Sequence, residues 1–134
     1  MNMFDLKNEV KVLNARSIAS IGSDTTTAGE IIDCAGYSNV LFELMSGTRS
    51  AGTATPLIEW SDDSGMSGSE AVPDDFLQGT EAAAALSAAN GRSAVGVIVL
   101  KRYIRLSIVT TGSTSAFILG ATAILNGARN NPPA

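Results

Sequence analysis

The chain alternates between short runs rich in Val, Ile and Leu and clusters of Gly, Ser, Thr and Asp. Apolar runs of this length, bounded by turn-forming residues, read as strands. Between Glu9 and Ile21, Val10, Val12 and Ile18 share one parity, and Leu13, Ala15 and Ala19 share the other. After the polar turn Ser23–Gly29, the stretch Glu30–Cys34 predicts a short strand with Ile32 and Cys34 on one face. Asn39–Met45 alternates more cleanly: Val40, Phe42 and Leu44 face one way and Glu43 the other, as a half-buried strand requires. Ser46–Gly52 is a glycine-containing turn suited to a hairpin. The return strand Thr53–Ser61 puts Ile58 with Trp60 on one face and Leu57 with Glu59 on the other. Pro56 has no N–H for a ladder, which predicts an edge or a strand start there.

Asp62–Asp75 is the longest polar stretch and predicts a loop. Thr80–Asn90 is rich in alanine, with Thr80 placed to cap it. Its composition allows a short helix or an extended connector. Val95–Leu100 is a near-continuous apolar run and predicts a strand buried on both faces. Lys101–Val109 alternates, with Ile104, Leu106 and Ile108 on one face and Tyr103, Arg105 and Ser107 on the other. Ala116–Leu125 carries Phe117, Leu119 and Leu125 on one parity and Ile118 and Ile124 on the other. Both faces of this last strand are apolar, so its second face is either covered by another segment or meets a partner chain.

Turn signals recurring every 8–14 residues or so, around about seven or eight short strands, predict an all-β chain folded as a jelly-roll-like antiparallel β-sandwich. At most one short helix is expected, near residues 80–90. No repeat or composition shift divides residues 1–134, which read as one domain. Residues 1–8 form a candidate N-terminal arm and 127–134 a candidate flexible tail.

Composition narrows the functions. Ala, Gly, Ser and Thr make up 58 of 134 residues, and charged residues only 16%, against about 25% in ordinary domains. With 45% hydrophobic residues, the chain is not of the disordered class. A single cysteine, Cys34, excludes an internal disulfide framework. The net charge of −4 argues against nucleic-acid binding, which draws most of its affinity from phosphate neutralisation. The one dense basic stretch, Lys101, Arg102 and Arg105, reads as outward strand residues and a turn residue. No apolar run reaches membrane-spanning length, and the first residues lack the apolar core of a signal peptide, so a cytosol-like compartment is expected.

Catalytic chemistry finds little footing. The chain has no histidine, so the usual base for a serine nucleophile, the usual cupin-type metal ligand and any other imidazole chemistry are missing. Lys7, Lys11 and Lys101 are the only lysines for a Ser–Lys pair, and all lie in exposed-looking contexts. Cys34 follows Asp33, whose charge raises a thiol's pKa, so Cys34 reads as a small core residue. The pairs Asp62–Asp63 and Asp74–Asp75 fail the EF-hand pattern: from Asp63, Gly68 falls on the glycine position, but Gly65 and Asp74 fall on ligand positions that need other residues. Trp60, Tyr37 and Tyr103 could form a sugar-stacking platform only if exposed and coplanar, while Trp60 and Phe42 share parity with apolar neighbours. No cofactor and no metal is expected.

Five local patterns line up in order: Asp33-Cys34-Ala35-Gly36-Tyr37, then Ser46-Gly47-Thr48 with Gly52, then Glu59-Trp60-Ser61-Asp62-Asp63-Ser64, then Lys101-Arg102-Tyr103-Ile104-Arg105-Leu106, and last Leu125-Asn126-Gly127-Ala128-Arg129 with trailing prolines. Over residues 30–134 the chain resembles small head decoration or cement proteins of tailed bacteriophages and prophages. It departs from the usual Gly-Tyr-rich strand before the Lys-Arg-Tyr motif, where it has Val95–Leu100. The resemblance implies a jelly-roll-like sandwich on the outside of a capsid, with no catalytic residues. It implies a non-enzymatic virion protein made in the bacterial cytoplasm, with the major capsid protein as partner and neither nucleic acid nor membrane bound. A homo-oligomer is expected, a trimer ahead of a monomer, since capsids offer threefold positions. The expected contact residues are Phe4, Leu6 and Lys7 on the arm and Phe117, Leu119 and Leu125 on the last strand. The alternative is a sugar- or host-binding sandwich module of a fibre or adhesin, or another head or tail component.

Overall fold

The computed structural model describes Lys7 and residues 10–127. Ten strands occur among the described residues. In chain order they are β1 (Lys11–Ile21), β2 (Thr26–Thr27), β3 (Ile31–Asp33), β4 (Asn39–Ser46), β5 (Ala51–Ser61), β6 (Glu70–Ala71), β7 (Leu77–Gln78), β8 (Arg92–Ile98), β9 (Tyr103–Ser115) and β10 (Phe117–Asn126). Four of them are only two or three residues long, so the long strands match the expected count more closely than the total does.

All ladders are antiparallel. The first sheet has the order β1-β10-β4-β8-β7 and the second β2-β9-β5-β6, with β3 also on β9. Pairing β1 with β10, β2 and β3 with β9, β4 with β8, and β5 with β6 is the strand order of a jelly roll, in which early strands pair with late ones across the two sheets. The sandwich expected from alternation and turn spacing is therefore present, with the jelly-roll strand order.

The core lies between the sheets. Val40, Phe42 and Leu44 of β4 and Phe117, Leu119 and Leu125 of β10 face Ile58 and Trp60 of β5 and Ile104, Leu106 and Ile108 of β9, all buried. Each such side chain contributes on the order of 1.5–3 kcal/mol by leaving water. The parity read from β4, β5 and β9 is the parity that is buried. In β1 only Ala15 and Ile21 are buried, and the register shifts twice, between Asn14 and Arg16 and between Arg16 and Ala19. Bulges break a two-residue period, which is why neither parity of this segment stood out. β8 corrects one expectation. Val95 and Val97 are buried, but Ala94 and Ile98 face outward, so only one face of this strand is in the core.

Residues 79–91 form a connector of turns and not a helix. Thr80 Oγ1 accepts the N–H of Ala83 at 3.0 Å, a cap for a single turn. Leu86 then exchanges two backbone hydrogen bonds with Ala54, at 2.8 and 2.7 Å, on the side of β5 away from β9. Further along that edge the carboxylate of Glu81 accepts the N–H of Ile58, and the N–H of Val72 donates to the Ile58 carbonyl at 3.0 Å. Backbone groups two residues apart point to the same side of a strand, so Pro56 sits in this edge between the Leu86 bridge and Ile58. Its missing N–H leaves no gap in the β5–β9 ladder, as its edge reading requires.

Candidate functional site

The three cations of the Lys101–Arg105 stretch each pair with an acid. Arg102 holds Asp33 through Nε and Nη2, each 2.9 Å from a carboxylate oxygen. Arg105 reaches Glu59 at 3.4 Å and Lys101 reaches Glu70 at 3.9 Å. The three cations of the basic stretch thus each meet an acid from β3, β5 or β6, and no uncompensated basic patch results. Hydrogen bonding to Arg102 holds the Asp33 carboxyl below the ordinary carboxylate range.

Asp63 shapes a turn. Its Oδ2 accepts the N–H groups of Gly65 at 2.8 Å and Ser67 at 3.2 Å. Asp74 and Asp75 open a single 3₁₀ turn at Asp74–Phe76. Among the described residues no three of Cys, Asp and Glu converge as a metal site. Cys34 is buried. Burial, with the Asp33 charge second, pushes its thiol up to about 12. The aromatic platform does not form either: Trp60 is buried with its ring 5.7 Å from that of Phe76, and Tyr37 is buried too.

The contact residues named from sequence are placed differently from expectation. Phe117, Leu119 and Leu125 are fully buried and face the second sheet, so they are core and not contact residues. The correction is one of parity, because both faces of β10 are apolar and the sequence did not say which one the second sheet covers. Lys7 is exposed. Phe4 and Leu6 lie outside the described residues, as do the proposed arm and tail apart from Lys7 and Gly127.

Among the described residues nothing covers the outer face of the first sheet. Five of its outward side chains are large, apolar and exposed: Val12 61%, Ile18 75%, Leu41 40%, Met45 39% and Ile98 38%. The register aligns them in rows across the strands. Val12, Ile124, Leu41 and Gly96 form one row, Asn14, Thr122, Glu43 and Ala94 the next, and Gly120, Met45 and Arg92 the third. Ile18 lies over Gly120, its Cγ1 where a side chain on Gly120 would begin. Beside it, Met45, Gly47, Ile118 and Gly120 floor a shallow depression. At the opposite end a groove runs over Leu41 and Ile124 between Asn39, Gln78 and Asn126. One ion pair joins the middle row to the third, Arg92 Nε to Glu43 at 3.8 Å.

The face is thus apolar at both ends with one ion pair between them, and so many exposed large apolar side chains on one sheet face are uncommon on a protein surface. Sequence reasoning reached only part of it. The second apolar face of β10, Ile118 and Ile124, was visible, but Leu41 and Met45 were passed over because Glu43 between them marks that face as polar.

Comparison with known proteins bears on the fold alone. No protein-family model and no curated protein matches the chain. Among solved structures it is similar to the SPBc2 prophage-derived protein YomS, with a TM-score of 0.51 and 11% identity, over 87% of this chain and 91% of that one. Among the described residues no helix is long and apolar enough to cross a membrane.

Proposed function

We propose that this chain is a non-enzymatic structural component of a tailed phage or prophage particle that decorates or stabilises the outside of the capsid. The observation that carries the reading is the uncovered apolar outer face of the first sheet. Leaving so many large side chains in water is unfavourable, and assembly removes them from it. The sharing of a fold with a prophage-derived protein supports a phage origin. Three ion pairs on the second sheet and the buried Cys34 put these groups to work in holding the sandwich together.

In this reading the chain is made in the bacterial cytoplasm and binds the major capsid protein as a homo-oligomer, without nucleic acid, membrane or cofactor. Lys7 and its neighbours Phe4 and Leu6 supply an arm toward the capsid, and the face of the first sheet is covered by a neighbouring subunit. Mass spectrometry of gradient-purified particles tests it. The chain should co-purify at a fixed ratio to the major capsid protein, and deleting residues 1–8 should lower that ratio. Particles that contain none of the chain would refute the reading.

A further inference from the structure

We infer that the subunit covering the outer face of the first sheet is a second copy of this chain, related by a two-fold axis that lies in the interface across the strands. The inference deepens the assembly reading above and rests on it.

Charge is the first argument. The chain carries a net charge of −4, so two copies repel over most of their surface. On this face the central charges are Glu43 and Arg92, which already balance at 3.8 Å. Like copies can therefore approach here without a net penalty.

Register is the second. An axis running across the strands between the Thr122 row and the Gly120 row exchanges the two ends of the face. It sets Ile124 of one copy opposite Ile118 of the other. It sets Leu41, exposed at the groove end, over the depression floored by Gly47 and Gly120. It also moves each Arg92 onto the partner's Glu43–Ala94 row, beside Glu43, so two intrachain pairs become a four-charge cluster across the interface. An arrangement in which each patch meets its own complement is what an isologous two-fold contact demands.

Area is the third. Four strands at about 4.8 Å spacing and about eight residues at about 3.3 Å each give a face of roughly 500 Å² in projection. Counted on both partners, about 1,000 Å² in all, this reaches the size at which a specific interface begins. Two sheets stacked this way sit about 10 Å apart, as inside a sandwich. The contact closes at two copies, so a trimer would have to use a different surface.

Sedimentation of the full chain over a dilution series tests the inference, with near-UV circular dichroism as the check on folding. The wild-type chain should dimerise. Leu41→Glu should raise the dissociation constant about tenfold or more, while Leu100→Glu, an exposed apolar position off the face, should leave it unchanged. Arg92→Glu should weaken the dimer, and adding Glu43→Arg should restore it, because the double exchange rebuilds every pair. A chain that stays monomeric at every concentration, or a dimer indifferent to Leu41→Glu in folded protein, overturns the inference. Particle composition is measured separately: a monomer found in particles refutes only the pairing, and a dimer absent from particles refutes only the virion reading.

Discussion

Arg102 grips Asp33 with two parallel hydrogen bonds, both 2.9 Å, from the bend before β9 to the end of β3. The fork geometry ties the short β3 to the strand it pairs with, and Arg102 also lies over the Tyr103 ring at 5.1 Å.

Both partners are about half exposed, 55% and 49%, so solvent screens the pair and its loss costs little. Asp33→Asn should lower the urea midpoint slightly at neutral pH. The native carboxyl titrates below its unfolded value. Its stabilisation is therefore complete above the ordinary carboxylate range and is lost as pH falls through the native pKa. Urea titrations of wild type and variant should converge at acid pH; a constant gap would show that the charge is not what matters.

Phe117 turns a contact expectation into a packing one. It is fully buried, so Phe117→Ala should destabilise by about 3–5 kcal/mol through lost burial and a residual cavity. Denaturant unfolding measures it. A cost under about 1 kcal/mol, the level of ordinary surface positions, would contradict its place between the sheets.

Gly29 lies between β2 and β3, where the chain is wedged against the backbones of β1 and β9. A Cβ there would collide with the backbone carbonyls of Leu106 and Ala15, while Glu30 N–H donates to the Ala15 oxygen at 2.7 Å. Backbone cannot step aside as a side chain can, so Gly29→Ala should destabilise by about 3 kcal/mol or more. Gly22→Ala meets nothing within 4 Å and should change stability by less than about 0.5 kcal/mol. Thermal unfolding of the two variants side by side checks the contrast.

Cys34 should be silent to thiol reagents in the native protein and react after unfolding, because burial keeps the thiol protonated up to about 12. Its native pKa is raised, so the associated stability is present below the ordinary thiol value and drains away as pH climbs from there through about 12. Cys34→Ala should flatten that alkaline decline. Rapid labelling of the folded chain would contradict the burial.

These variants also show what the sequence could carry. Alternation alone identified the buried faces of β4, β5 and β9, because Phe42, Ile58 and Leu106 sit in strict two-residue periods opposite faces broken by Glu43, Glu59 and Arg105. Turn residues fixed the succession of strands, and the resulting order is a jelly roll. The outer face of the first sheet was harder. On β10 both parities are apolar, and only the second sheet's position decides that Phe117 is inside and Ile118 outside. On β1, Val12 and Ile18 share a parity and are both exposed, and the two bulges between Asn14 and Ala19 break the alternation of the residues there. The ion pairs of Arg102 and Lys101 join residues more than 30 positions apart, a relation set by topology and not by local spacing.

The most direct test of the account is a cryo-electron reconstruction of the purified particle. It predicts this sandwich on the outer surface of the capsid, with Leu41, Met45 and Ile18 of the first sheet covered by a neighbouring subunit. A particle whose outer surface lacks the sandwich, or one that displays it with that face open to solvent, would contradict it.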